Sequence, residues 1–497
     1  MPPPYILSID QGTTSTRAVV YDATGRACGS AARELTQHYP QPGWVEHDAD
    51  EIWASVRDVT PRALAAAGID AKQLAAVGVT NQRETVVIWE RDTGRPVAHA
   101  IVWQDRRTAD FCREHRADQD WIQQRTGLVL DPYFSATKLR WLLRQDPALR
   151  TRAEAGRLAC GTIDAFLLWR LTGGRVHATD RTNASRTLLL NLSTAAWDDE
   201  LCRYFEVPRA LLPEVRPSAA DYGVTHGLAF LPDGIPFRGV AGDQQAALFG
   251  QCAFAPGEAK CTYGTGAFFL QHLGTTPTLS RHRLLTTLAA SGEGPPQYAI
   301  EGSVFVAGAA VQWLRDGLKL FDAAPAVEEM AARSDPEQPV IFVPGFVGLG
   351  APHWIPEARG VVFGLTRGTT GADVSRATLE GVAFQVGDLI DAAALDAGTR
   401  LRQLRVDGGM ARNAWFLQCQ ADVLGLPVIQ TLHSEATALG AAYLAGLSAG
   451  VWPDLDALRR LDAEARRFEP RLDEATRQRR QQQWQRAVQA VIQFYAQ

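Results

Sequence analysis

Lysine is nearly missing from this sequence: of 50 basic residues only Lys72, Lys138, Lys260 and Lys319 are lysines, a bias to which no function attaches. Other scarcities say more. Cysteine occurs seven times, at 28, 112, 160, 202, 252, 261 and 419, an odd number with no Cys-x-x-Cys spacing, which argues against a disulfide framework and fits a reducing compartment. The ten histidines include no i, i+4 pair, so a helical zinc site is not expected. No apolar run approaches the ~18 residues of a membrane helix. The opening Met1-Pro2-Pro3-Pro4 leads into a strand without the basic and apolar regions of a leader, and a soluble, non-exported, cytoplasmic protein is expected. No glycine-rich turn ends in Lys-Ser or Lys-Thr, which excludes a P-loop. An excess of positive charge is also lacking: a net charge of −5 and a pI near 6.1 leave no footprint for nucleic acid or an anionic membrane face.

What the sequence does have is length and patterned apolar segments. At 497 residues it exceeds what one compact core holds, so two domains are expected on size alone. Strand-like runs such as Ala75 to Thr80 and Thr85 to Trp89 alternate with helical stretches such as Asp48 to Ala67, where Ile52, Trp53, Val56 and Leu64 share one face. The clearest boundary follows Gly250, where an apolar helix, Gln245 to Phe249, gives way to Ala255-Pro256-Gly257-Glu258, which reads as a hinge. The same mixture returns after it without any short-period repeat, which argues for two α/β domains around a central cleft. The last helix, Asp473 to Ala496, carries Trp484, Ala487, Val488, Val491, Ile492 and Tyr495 at helical spacing. It reads as a docked amphipathic helix whose basic stretch, Arg477 to Arg486, faces water.

Three glycine turns stand out. Asp10-Gln11-Gly12-Thr13-Thr14-Ser15-Thr16-Arg17 lies between the apolar runs Tyr5 to Ile9 and Ala18 to Tyr21 and reads as a tight turn between paired strands. Gly12 lets backbone approach an anion, Thr13, Thr14 and Ser15 can donate hydroxyl and N–H groups to phosphoryl oxygens, and Arg17 adds a fixed charge. Asp10, acceptor-only at neutral pH, suits a hydrated magnesium ion. Alone, such residues also make ordinary hairpins. A second glycine–threonine turn lies in Cys261-Thr262-Tyr263-Gly264-Thr265-Gly266-Ala267-Phe268-Phe269. The third segment, Leu404 to Asn413, reads as strand, glycine turn and helix, with apolar Trp415, Phe416, Cys419 and Val423 and a stop at Gly425. Its glycines therefore sit at a helix N-terminus, where anions and flat ligands are accommodated. Two phosphate loops and a nucleotide platform are expected. Asp243, between an apolar strand (239–241) and a helix, fits either a helix N-cap or a base for a substrate hydroxyl.

These turns, together with Pro42 to Asp48, Thr80 to Thr85, Ala100 to Gln104, Asp131 to Ser135, Ala241 to Gly250 and Gly308 to Trp313, make the chain resemble the FGGY family of carbohydrate kinases in the actin-like ATPase superfamily. The resemblance runs over nearly the whole length, and Asn81 to Glu84 favour the glycerol-phosphorylating branch. It implies an α/β fold of two actin-like, ribonuclease H-like domains, 1–252 and 253–497, around a catalytic cleft. It further implies ATP-dependent phosphorylation of glycerol to sn-glycerol 3-phosphate, with ATP and Mg2+ as cofactors, and a homodimer or homotetramer.

By the same resemblance Asp243 is the catalytic base. Arg83, Glu84, Tyr133, Asp243 and Gln244 grip glycerol, while Trp103 and Phe268 cover its carbon edge. Thr13, Thr14, Ser15, Arg17 and Thr265 contact phosphates, with Gly266 permitting close approach. Gly308, Gln312, Gly409 and Asn413 contact adenosine, and Asp10 with Asp243 flanks the magnesium ion. Met410 and Arg412 depart from the small or neutral residues that relatives often carry there. Taken singly, Arg83 and Glu84 also fit a surface ion pair, and Trp103, Tyr133 and Phe268 fit core aromatics. The competing functions are phosphorylation of another polyol or a ketose, or a catalytically silent actin-like scaffold, which has no use for a polyol pocket. Some family members bind an inhibitory sugar bisphosphate through a loop rich in Gly, Lys and Arg. The corresponding stretch here, Tyr222 to Pro236, contains no Lys or Arg, so no such inhibition is expected and His226 reads as an exposed loop histidine.

Overall fold

The computed structural model describes residues 4–336, 338–431, 435–461 and 466–495. Its first sheet has the order Phe237–Gly242, Leu74–Asn81, Tyr5–Gln11, Ser15–Tyr21, Ala27–Glu34. The last three form an antiparallel meander, and the first two are parallel to Tyr5–Gln11. Ile6, Leu7, Ile9, Val77 and Val79 are fully buried, as strands covered on both faces require. Helix Ala49–Ala67 covers one face. Asp48 caps it by accepting from the Asp50 N–H, Gly68 ends it in the left-handed conformation, and Ile52, Trp53, Val56 and Leu64 turn inward.

The second sheet has the order Leu285–Ala289, Gln297–Val304, Ala267–Gly274, Ala259–Tyr263, Leu404–Asp407, Val428–Gln430, Arg466–Phe468. Stripped of its two edge strands, it repeats the first sheet in order and direction. Helices Gly371–Ala397, Ala414–Leu424 and Glu474–Tyr495 pack against this half. The last buries Trp484, Ala487, Val488 and Val491, and Trp484 stacks on Phe384 while donating to Asp388 at 2.9 Å. It is the docked amphipathic helix the periodicity predicts; Ala496 lies outside the described residues. A smaller sheet, Glu46–His47, Ala100–Ile101, Val86–Glu90, Leu158–Thr162, flanks the first half.

The halves meet through crossed helices. A Cβ on Gly440 would lie 1.8 Å from the Ala246 carbonyl oxygen, and one on Gly250 would lie 2.1 Å from that of Ala436. Helices Asp243–Gly250 and Ala436–Ser448 therefore touch backbone to backbone. Helix Ala436–Ser448, although late in the chain, also packs on the first sheet, against Ile6, Val19, Ala76 and Ala241. The segment read as a hinge is a tied turn: Gly257 has φ +81°, and the Glu258 carboxylate accepts from the Phe254 and Ala255 N–H groups at 2.8 and 2.9 Å and pairs with Arg459.

Candidate active site

The first turn closes with a hydrogen bond from the Gly12 N–H to the Ser15 carbonyl at 2.9 Å, and strand register sets Asp10 opposite Arg17. Thr14 is exposed, with Thr13 and Ser15 half-buried, so the turn is open to solvent at Thr14. The Trp103 indole donates to the Thr13 hydroxyl at 2.9 Å, joining the first turn to the segment after strand Ala100–Ile101. Arg17 pairs with Glu435 at the start of helix Ala436–Ser448. Asp10 stands among carboxylates: burial, then Asp243 and Glu435, push its carboxyl up to about 7 against the pull of Arg17. Among the described residues no group of three or more His, Cys, Asp or Glu side chains is arranged to hold a metal ion.

The second turn, Gly264-Thr265-Gly266, joins strands Ala259–Tyr263 and Ala267–Gly274 and leaves Thr265 exposed. Helix Gly308–Asp316 starts against it: the Gly308 N–H donates to Gly264 O at 3.0 Å and the Ala309 N–H to Thr265 O at 3.1 Å. A Cβ at Gly308 would lie 2.6 Å from Gly264 O, and one at Gly266 would lie 2.5 Å from Val304 O, so packing alone requires glycine at both. Gln312 is exposed on that helix. In the third segment Gly408 has φ +92°, whereas a Cβ at Gly409 would meet nothing within 4 Å, leaving an open shelf. Asn413 caps helix Ala414–Leu424, its Oδ1 accepting from the Phe416 N–H at 2.8 Å, so that oxygen is already engaged.

Between the turns lies a buried charge network. Arg83 is 3% and Glu84 1% exposed, which removes the surface ion-pair reading. The Arg83 Nη atoms donate to Glu301 at 2.6 and 2.9 Å and to Gln245 at 3.2 Å, while its Nε lies 3.2 Å from Asp243. Gly242 makes this path possible, since a Cβ there would lie 2.7 Å from the Arg83 Cγ. Arg186 donates to Glu84 at 2.6 Å and to Glu301 at 3.2 Å. Burial raises the Glu84 carboxyl, with Arg83 and Arg186 opposing. Glu84 also has φ +61°, a left-handed backbone that non-glycine residues adopt at a cost.

Asp243 is the first residue of helix Asp243–Gly250, and Gly242 occupies the cap position, so the N-cap reading does not apply. Its carboxylate accepts from the Gln244 N–H at 2.7 Å and keeps 29% of its side chain exposed. Burial raises its carboxyl and Arg83 lowers it, for a net upward shift. Lys260, fully buried, donates to Gln244 Oε1, to Thr262 at 2.9 Å and to the Phe268 carbonyl at 3.3 Å. Burial lowers its ammonium, which Asp407 and Asp243 partly restore. Trp103 and Tyr133 meet edge to face at 5.6 Å and, like Phe268, are half-buried; Tyr133 also packs on the core cluster that holds Phe134. Burial and Glu84 keep the Tyr133 phenol protonated.

Arg83, Glu84, Gln244 and Asp243 are thus brought together with Glu301, Arg186 and Lys260, and Arg17 and Asp10 with Glu435. None of these four added residues lies in a motif that sequence reasoning singles out for chemistry. The arrangement offers a partly exposed carboxylate, fixed donors around it, and two hydroxyl-bearing turns with exposed threonines: the parts needed to hold a polyphosphate against an alcohol.

Residues 5–250 match the N-terminal domain and residues 259–449 the C-terminal domain of the FGGY family of carbohydrate kinases. The chain is 54% identical over 492 residues to a glycerol kinase of Alcanivorax borkumensis, covering 99% of both chains. It is 53% identical over 493 residues to that of Rhizobium rhizogenes, covering 98% of this chain and 99% of the relative. The crystal structure of Plasmodium falciparum glycerol kinase with ADP superposes with a TM-score of 0.94 at 36% identity, covering 99% of this chain and 98% of that one. A xylulose kinase of Rhodospirillum rubrum shares the fold at a TM-score of 0.88 and 24% identity. With both halves matched and the repeated sheets in place, the chain belongs to the FGGY family of carbohydrate kinases.

Proposed function

We propose that this chain transfers the γ-phosphoryl group of ATP to a terminal hydroxyl of glycerol, giving sn-glycerol 3-phosphate and ADP. The observation that carries it is the buried Arg83 and Glu84 pair beside Asp243 at the junction of the two halves. Identity above 50% over nearly full length to glycerol kinases supports glycerol over a ketose or another polyol, since the xylulose kinase shares the fold alone.

In this reading the halves are 1–252 and 253–497. Arg83, Glu84, Tyr133 and Gln244 hold the triol's hydroxyls, because a buried polar group left unpaired costs about 1–3 kcal/mol and rejects the wrong alcohol. Trp103 and Phe268 cover its carbons. Asp243, raised by burial, accepts the proton from the attacking hydroxyl. Thr13, Thr14, Ser15, Arg17 and Thr265 hold phosphates, with Gly266 allowing close approach. Gly308, Gln312, Gly409 and the free amide of Asn413 receive adenosine. Asp10 and Asp243 offer hard oxygen donors whose mutual repulsion a cation would relieve, which fits Mg2+. Mg2+, when bound, neutralises charge on the phosphates. No helix among the described residues is long and apolar enough to cross a membrane, and a cytoplasmic homodimer or homotetramer completes the proposal.

An ADP-release assay across glycerol, dihydroxyacetone, xylulose and gluconate tests it. Glycerol should show the highest kcat/KM; a ketose or sugar acid turned over better would overturn the substrate assignment.

A further inference from the structure

The side chains expected to grip the polyol belong to the first half of the chain, yet the group that fixes one of them comes from the second. Glu301 lies on strand Gln297–Val304, fully buried, and its carboxylate takes both Arg83 Nη atoms, at 2.6 and 2.9 Å, and Arg186 Nη2 at 3.2 Å. A bidentate grip of this kind fixes the guanidinium plane. With both ends held, Arg83 directs its Nε toward Asp243 at 3.2 Å. The other partner of Glu301, Arg186 Nη2, makes a single, longer bond. Arg186 is also paired with Glu84, and Lys260 faces Asp407 and Asp243, so Glu301 is the carboxylate that takes both Nη atoms of Arg83. Removing the Glu301 charge takes away both charge-assisted bonds to the Arg83 Nη atoms and frees Arg83 to swing toward Glu84 or Asp243.

We propose that Glu301 is a positioning residue for the polyol: from the second half it holds Arg83 in its binding pose, so the pocket is complete only while the halves are together. Affinity for the polyol and closure of the cleft are then linked through one carboxylate. This rests on the reading that glycerol meets Arg83 and Asp243.

The test is steady-state kinetics of full-length R83A, E301Q, E301D and R83A/E301Q, with glycerol and ATP varied separately and folding checked by thermal unfolding. E301Q should raise the glycerol KM about 30-fold while the ATP KM stays within about twofold. Because Glu301 acts through Arg83, adding E301Q to R83A should cost no more than about a further threefold. A merely structural Glu301 would instead lower stability and kcat with the glycerol KM unchanged, or add its full effect to R83A; either result overturns the inference. If E301Q does not fold, E301D decides, since it keeps the charge and withdraws the carboxylate by one methylene. Its glycerol KM should rise about fivefold at a normal ATP KM, and an unchanged value overturns the proposal. An unchanged glycerol KM in R83A would overturn the site reading and this inference with it. A raised KM in R83A with none in E301Q overturns the inference alone.

Discussion

Arg83→Ala is the perturbation that the structure constrains most tightly. The side chain makes two charge-assisted bonds to Glu301, one bond to Gln245 and a close approach to Asp243, all buried at 3% exposure. Truncation leaves Glu301 with Arg186 Nη2 alone, at 3.2 Å. Breaking a buried ion pair from one side costs about 3–5 kcal/mol, because the remaining charge stays desolvated. The surviving contact to Arg186 should hold the loss near the lower end of that range. The functional effect is separable from the structural one. A guanidinium donating to a polyol hydroxyl contributes about 2 kcal/mol, or roughly 30-fold in the glycerol KM, with less change for ATP. Thermal unfolding reads the first quantity and initial rates with glycerol and ATP varied in turn read the second. A folded variant with an unchanged glycerol KM would refute the assignment of Arg83 to the pocket.

The Asp10 carboxyl, pushed up to about 7 from an ordinary 3.8, holds its proton more tightly folded than unfolded, so the metal-free protein loses stability as pH rises between those values. Asp10→Asn should unfold at a higher temperature than wild type at pH 8, with the gap closing toward pH 4, and Mg2+ should raise the midpoint of wild type more than that of the variant; a less stable variant at pH 8 would contradict this. Gly440→Ala places a methyl 1.8 Å from Ala246 O and should lower the midpoint by about 2–6 °C through overpacking, as differential scanning calorimetry would show. Fructose 1,6-bisphosphate should not inhibit, since Asp233 pairs with His226 in the loop, although Arg175 Nη2 reaches the His226 ring at 2.7 Å; half-inhibition at sub-millimolar bisphosphate would refute this.

The parts legible in the sequence are the local ones. A glycine–threonine hairpin announces itself because both strands lie within a few residues of the turn, and the helix Ala49–Ala67 is read from its one apolar face. The third segment reads with its glycines at the helix N-terminus, whereas a short turn, Gly409–Arg412, intervenes and Asn413 is the cap. Glu301, Arg186, Lys260 and Glu435 were not legible, because their partners are remote: Arg83 and Glu301 are separated by 218 positions, Glu84 and Arg186 by 102. Nothing local distinguishes a glutamate that crosses between halves from one in an ordinary strand. The recurrence of one sheet order in both halves was hidden because it is a repeat of topology, with different loops and an extra edge strand at each side of the second sheet. Helix Ala436–Ser448 packs on the sheet of the other half, a crossing that no boundary drawn along the chain can express.

Asp243→Asn removes the proposed base and little else. The amide keeps the shape and can still accept from the Gln244 N–H, but it cannot take a proton from an attacking hydroxyl. Turnover with glycerol should fall by more than about 100-fold, while calorimetric titration with ADP gives wild-type affinity. A variant that keeps a tenth of wild-type turnover would contradict the account, for the base would then lie elsewhere.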